Sequence, residues 1–109
     1  MKSSSESFEF TAVVWQYDGP GGWCFVSLPK GMSTTIRKYF KSEEEGWGRL
    51  KAKATIGNTT WDTAIWFDSK SDGYLLPLKA EVRKKEKLTL DMKVKVLLKI
   101  DGSILSKNK

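Results

Sequence analysis

Alternation of apolar and polar side chains in two stretches, interrupted only at Leu97, constrains the fold more than any other feature of the chain. The stretches are "RLKAKATI" (residues 49–56) and "KVKVLLKI" (residues 93–100). Successive side chains of a β-strand point to opposite faces, so a period of two predicts strands buried on one side and solvated on the other. The predicted inward side chains are Leu50, Ala52, Ala54, Ile56, Val94, Val96, Leu98 and Ile100.

Four further segments are typical of strands: residues 8–17, 23–28, 59–68 and 74–78. In the second half of segment 8–17 apolar residues occupy both faces, which predicts a strand covered on both sides there. Gly57 and Asn58 divide segments 49–56 and 59–68, and both tolerate the positive φ that a two-residue hairpin turn demands.

Helical spacing of apolar residues between positions 32 and 40 predicts one helix over residues 33–42. Ser33 or Thr34 is placed to cap its start. The acidic run 43–45 follows, and the helix dipole disfavours negative charge at a C-terminal end, so we expect this run to form a mobile loop. The segment "AEVRKKEK" (80–87) predicts two helical turns before the last strand.

Six strands with little helix predict a mainly β domain, and a lone sheet would leave long edges exposed. We therefore predict a small, closed, six-stranded and mostly antiparallel barrel. One short helix follows its second strand and a helical turn precedes its last strand. The barrel is expected over residues 8–101, with a disordered tail at 1–7 and a frayed tail at 102–109.

The residue types exclude several functions. A single cysteine, Cys24, cannot form an internal disulfide, and without any histidine it gives neither a zinc cluster nor a Cys–His nucleophile. We expect no metal and no cofactor. No apolar stretch approaches the ~20 residues of a membrane span, and the first residues lack the apolar core of a secretory signal. These features predict a cytoplasmic protein.

Positive charge is concentrated at one end of the chain. The net charge is +6, and residues 79–109 hold ten Lys/Arg against four Asp/Glu, whereas residues 1–78 hold nine of each. Such asymmetry indicates attraction to polyanions. The alternative is that these lysines only keep the protein soluble.

Two loops imitate ligand sites and fail on their chemistry. "DGPGG" (18–22) is followed by a strand rather than by the helix that a phosphate loop needs, so its glycines predict a turn. "DSKSDG" (68–73) has the spacing of a calcium loop, but Lys70 and Lys79 stand where oxygen ligands are required.

Five tryptophans allow two interpretations. They would form a stacking platform for single-stranded nucleic acid, or they would fill the interior of the barrel. Trp23 and Trp61 lie in apolar strands, which favours the core for both. Trp47 lies between two glycines and is predicted to be the exposed aromatic residue.

The order of motifs resembles the DUF1905 family of prokaryotic barrel domains. The resemblance rests on "GGWCFVSLP", "ATIGN", "TWDTAIW", "DGYLLPLKAEVRK" and "KVKVLLKID", and it spans residues 8–101. It implies a closed six-stranded Greek-key barrel and no established activity. In larger relatives a helical domain similar to bacteriocin-protection proteins follows. The family opens its last strand with Gly-Asp, whereas Asp91 and Met92 stand here, which predicts an altered turn before the last strand.

Three residues are candidates for ligand contact: Lys79, Arg83 and Asp62. Lys79 and Arg83 are four residues apart, so on a helix they share a face and form a clamp for phosphate or carboxylate. Arg83 also matches a "VR" pair that recurs in the family, although a structural ion pair with Glu81 or Glu86 is the alternative. Asp62 shares a face with Trp66, where burial would favour its protonated form.

Three functions follow from these residues. The first is a non-catalytic binding module for an anionic ligand or a protein partner, with Lys79, Arg83, Trp47 and Asp62 as its site. The second is nucleic-acid binding through a basic surface, whose residues are Arg49, Lys51, Lys53, Lys84 and Lys85. The third is an enzyme. Only Asp62 supports this hypothesis, and we assign no catalytic residue.

Overall fold

The computed structural model describes residues 6–19, 21–40 and 48–100. The domain is mainly β, as predicted, with seven strands and two helices in this part of the chain. The elements are β1 (Glu6–Val13), β2 (Trp15–Gln16), β3 (Cys24–Ser27), α1 (Lys30–Phe40), β4 (Arg49–Ile56), β5 (Thr59–Asp68), β6 (Gly73–Pro77), α2 (Ala80–Lys85) and β7 (Lys93–Ile100). Neither helix is long and apolar enough to cross a membrane.

All strands belong to one antiparallel sheet in the order β1-β7-β4-β5-β6-β3-β2, which curves into a half-barrel. The prediction of a closed six-stranded barrel is wrong, both in the number of strands and in closure. The reason lies at Val14, whose N–H donates to the Met92 carbonyl at 2.9 Å and whose carbonyl accepts from the Asp91 N–H at 2.8 Å. These bonds extend the pairing of β1 to the residues just before β7, and from Trp15 onward the chain pairs with β3 instead, so the predicted first strand is divided into β1 and β2.

Alternating side chains of the strands form the core on the concave face of the sheet. The eight inward residues predicted in segments 49–56 and 93–100 are all buried. Trp61 is buried as well, which confirms its predicted place in the core. Lys53, Lys95 and Lys99 stand on the opposite, solvent-facing side. We call this side the outer face.

The first strand segment differs from its prediction on the outer face. Val13 and Tyr17 are both exposed, so the expected cover on both sides of residues 13–17 is wrong. The segment also begins earlier than expected, because Glu6 and Ser7 pair with Ile100 and Lys99 inside the range assigned to a tail. Residues 1–5 and 101–109, which include most of the predicted tails, lie outside the described residues.

Helix α1 begins at Lys30, three residues before the predicted start. The Ser33 N–H donates to the Pro29 carbonyl at 2.9 Å, so the first helical turn forms directly after the proline. Ser33 is therefore not a cap. Its buried hydroxyl instead accepts the Tyr74 N–H at 3.0 Å and ties the helix to β6. The predicted acidic loop at 43–45 lies outside the described residues.

The β4–β5 hairpin turns at Gly57 and Asn58, as predicted, with Ile56 opposite Thr59. Gly57 has φ +58°, and a Cβ there would collide with the Glu86 carboxylate at the end of α2. That carboxylate accepts the Asn58 N–H at 3.2 Å and the Thr59 hydroxyl at 2.6 Å. Glu86 therefore fixes α2 against the hairpin.

Candidate functional site

The outer face carries an open groove of about 640 Å³, which we call the outer groove. It extends over β4 and β5, from Lys99 on β7 to the end of β6. Five of its lining side chains are cationic and one is a carboxylate: Arg49, Lys51, Lys53, Lys79, Lys99 and Asp62. Because most of these residues lie on regular strands, the sheet register determines their positions.

Strand register places the charges of three strands in one row. Lys53 on β4 lies opposite Asp62 on β5 and, on its other side, opposite Lys99 on β7. The Lys53 ammonium contacts the Asp62 carboxylate at 2.9 Å, with both side chains largely exposed. Like charges directly opposite each other on a sheet are destabilising, so one carboxylate offsets only part of the repulsion in this row.

The cations of the groove differ in whether they interact with other residues. Arg49 and Lys51 have interactions of their own, and the Arg49 guanidinium lies 5.6 Å from the ring centroid of Trp66. Lys79 and Lys99 make no ion pair with any residue that the structure describes. The ammonium groups of Lys79, Lys99 and Lys53 are therefore the candidates for contact with an anion.

Two tryptophans line the outer groove beside these charges. Trp66 on β5 is 37% exposed, and Trp23, which directly precedes β3, is 58% exposed. The Trp23 carbonyl accepts the Tyr17 N–H at 2.7 Å, which continues the β2–β3 pairing and fixes this part of the backbone. An exposed indole on a fixed backbone presents a flat apolar face at little conformational cost.

The predicted core position of Trp23 is wrong. Residues 23–28, "WCFVSL", are not buried throughout but alternate: Cys24 and Val26 are buried, whereas Trp23 and Ser27 are exposed. The polar residue Ser27 is the one feature of this run in the sequence that indicates its outward side. Trp23 lies on that outward side and lines the groove, although its apolar neighbours in the sequence predicted a place in the core.

Phe25 extends the apolar part of the outer face next to the groove. It lies opposite Pro77, which lines the groove, and its ring centroid is 5.3 Å from that of Trp15. The Trp15 indole N–H donates to the Ser27 hydroxyl at 2.9 Å. Trp15 is thus held by its own contacts and supports the wall of the groove rather than lining it.

The proposed clamp of Lys79 and Arg83 is not assembled in the groove. Lys79 lines the groove, whereas the Arg83 Nε donates to the Leu78 carbonyl at 3.1 Å and braces the start of α2. Lys84 and Lys85 are exposed on α2 but are not among the groove residues. Trp47 lies outside the described residues.

The groove offers binding groups rather than an acid–base pair. Asp62 shares the outer face with Trp66, as predicted, but its side chain is 87% exposed. The covered surroundings on which the enzymatic hypothesis depends are therefore not found at Asp62. Within the described ranges no three metal-ligating side chains come together, and the Cys24 thiol is buried in the core.

Together these features define a small, mainly β domain whose half-barrel sheet carries a basic groove flanked by tryptophans. The chain belongs to the DUF1905 family, a domain of unknown function, whose model matches residues 10–98. This match covers most of the chain and confirms the resemblance seen in the motifs. No curated protein matches the sequence.

Proposed function

We propose that the domain is a non-catalytic binding module and that its outer groove binds an anionic ligand. One observation carries the proposal: five cationic side chains, one carboxylate and two exposed tryptophans line the same groove. Concave sites with apolar walls and a few convergent polar groups are the usual form of ligand sites.

Electrostatics supports an anion in particular. Lys53 and Lys99 lie opposite each other, and Asp62 neutralises only one positive charge. An anion bound between them would relieve the remaining repulsion and would gain from charge-assisted hydrogen bonds. Lys79 approaches from the end of β6 and adds a third ammonium group to the same groove.

The test uses three anions of different chemistry: heparin, poly-L-glutamate and inorganic tripolyphosphate. Each is titrated into the protein at low ionic strength while the tryptophan fluorescence is recorded. Because Trp23 and Trp66 line the groove, an anion that binds there is expected to change the emission. At least one of the three should bind, and affinity should fall as salt is added.

A pair of double variants locates the binding. Lys79→Gln/Lys99→Gln removes two charges from the groove, and Lys84→Gln/Lys85→Gln removes two from α2 and serves as the matched control. We expect the groove variant to bind at least 10-fold more weakly and the control to bind almost as well as the unaltered protein. Equal losses in the two variants would contradict a defined site, and so would an absence of binding to every probe.

A further inference from the structure

We infer that the anionic ligand of the outer groove is a single-stranded nucleic acid whose bases stack on Trp23 and Trp66. This inference rests on the proposed function, since it assigns a ligand class to the same groove. It depends on the order in which cations and indoles follow one another across the sheet.

Cations and exposed indoles interleave across the strand order. From β7 to β3 the groove presents Lys99, then Lys53, then Trp66, then Lys79 after β6, and finally Trp23 before β3. A nucleic-acid strand repeats a negative phosphate and a flat base in each unit. Proteins that bind single-stranded nucleic acid without preference for its nucleotide sequence combine a basic groove with aromatic side chains on which bases stack.

The two indoles belong to different strands with β6 between them, which indicates a ligand with more than one ring. Trp66 on β5 is in register with Leu75 on β6 and Ser27 on β3, whereas Trp23 lies four residues before Ser27. Their backbones are therefore separated by two strand spacings, roughly 10 Å, across the sheet and by roughly 13 Å along it. A ligand that stacks on both indoles must cross β6 and carry at least two flat groups. An oligonucleotide has this form.

The tryptophans also distinguish this ligand from other polyanions. An acidic peptide or a sulfated glycan would use Lys53, Lys79 and Lys99 but has no flat ring in each unit to stack on an indole. In a duplex the bases are stacked on each other and their faces are not available. The inference therefore commits to unpaired bases.

The first measurement compares a labelled 12-nucleotide single strand with the duplex of the same sequence by fluorescence anisotropy. We expect the single strand to bind more tightly. If Lys53, Lys79 and Lys99 each contact a phosphate, raising the salt from 50 to 200 mM should weaken binding by about 20-fold. Equal or tighter binding of the duplex would overturn the inference.

The second measurement removes the indoles one at a time. Trp23→Ala and Trp66→Ala should each weaken single-strand binding by roughly 5- to 150-fold, which is the range for loss of one stacked base. Tyr39→Ala is the control, because Tyr39 is an exposed aromatic residue on α1 and does not line the groove. Thermal melting shows that each variant is folded, and Trp→Phe variants, which retain an aromatic face, should recover part of the affinity.

The outcomes separate this inference from the proposed function. If heparin or poly-L-glutamate binds through Lys79 and Lys99 and the oligonucleotide does not, the anion site stands and the nucleic-acid assignment fails. If the oligonucleotide binds but both tryptophan variants bind equally well, the attraction is only electrostatic and the assignment also fails. If no polyanion binds at low salt, both proposals fail.

Discussion

Lys53 on β4 lies directly opposite Lys99 on β7, two like charges in register on the outer face of one sheet. Asp62 contacts Lys53 at 2.9 Å from the other side, but Lys99 makes no ion pair with the described residues. Two ammonium groups so placed repel each other in the free protein. Positions that lower stability in this way are common at functional sites, because the ligand supplies the missing interaction.

Replacing Lys99 should therefore stabilise the free protein and weaken its binding. For Lys99→Thr we expect the free energy of unfolding to rise by about 0.2–1 kcal/mol, from lost repulsion and the good strand propensity of threonine. Urea denaturation measures this change. Lys95→Thr is the matched control on the same strand, because Lys95 pairs with Glu9 at 3.0 Å and its removal gains nothing electrostatically.

The salt dependence of the stability change shows whether charge repulsion is its cause. At 1 M salt the screening length falls to about 3 Å, so the difference between the unaltered protein and Lys99→Thr should shrink to what strand propensity alone provides. A difference that is the same at low and high salt would show that repulsion between Lys53 and Lys99 is not its source.

The strands were predictable because their periodicity is local. Alternation at 49–56 and 93–100 assigned each inward side chain, and Gly57–Asn58 identified the hairpin between β4 and β5. The break at Val14 was not predictable, because it depends on backbone bonds to residues 91 and 92, more than seventy residues further along the chain. Nothing in the sequence around Val14 marks these partners.

The candidate site was predictable only in part, for the same reason. Lys53 and Asp62 face each other across a local hairpin, so alternation predicted that Lys53 points outward and that Asp62 shares the face of Trp66, but it predicted that face of β5 to be covered. The approach of Lys99 depends on the non-local pairing of β4 with β7, which the local pattern does not reveal. The core position predicted for Trp23 is wrong, because a short apolar run fits a strand buried on both faces as well as a strand buried on one face.

The bond between Ser33 and Tyr74 is expected to contribute to stability. In Ser33→Ala the buried Tyr74 N–H loses its acceptor, the Ser33 hydroxyl, and we expect the free energy of unfolding to fall by about 1–3 kcal/mol. Thr34→Ala is the control, since Thr34 is exposed and its hydroxyl only donates back to the Lys30 carbonyl. That variant should stay within about 0.5 kcal/mol. Similar losses in both variants would assign the effect to the helix rather than to its tie with β6.

Glu86 should hold the β4–β5 hairpin through its carboxylate. Glu86→Ala removes the acceptor of both the Asn58 N–H and the Thr59 hydroxyl, and a loss of about 1–2 kcal/mol is expected. Glu86→Gln keeps one acceptor oxygen and should lose less. Amide hydrogen exchange at Asn58 provides a local readout: it should accelerate in Glu86→Ala, and unchanged protection would show that the turn does not depend on α2.

Asp62 should act in the groove as a competitor of the ligand. Its carboxylate occupies the Lys53 ammonium group in the free protein, so Asp62→Asn should free that cation for a phosphate. We expect the affinity for a single-stranded oligonucleotide to rise several-fold and the slope of log affinity against log salt to steepen by up to about 0.7, the value for one additional phosphate contact. Lys53→Gln should have the opposite effect on both quantities. Weaker binding in Asp62→Asn would instead mean that the carboxylate orients Lys53 toward the ligand, and the pair would then be part of the site as a unit.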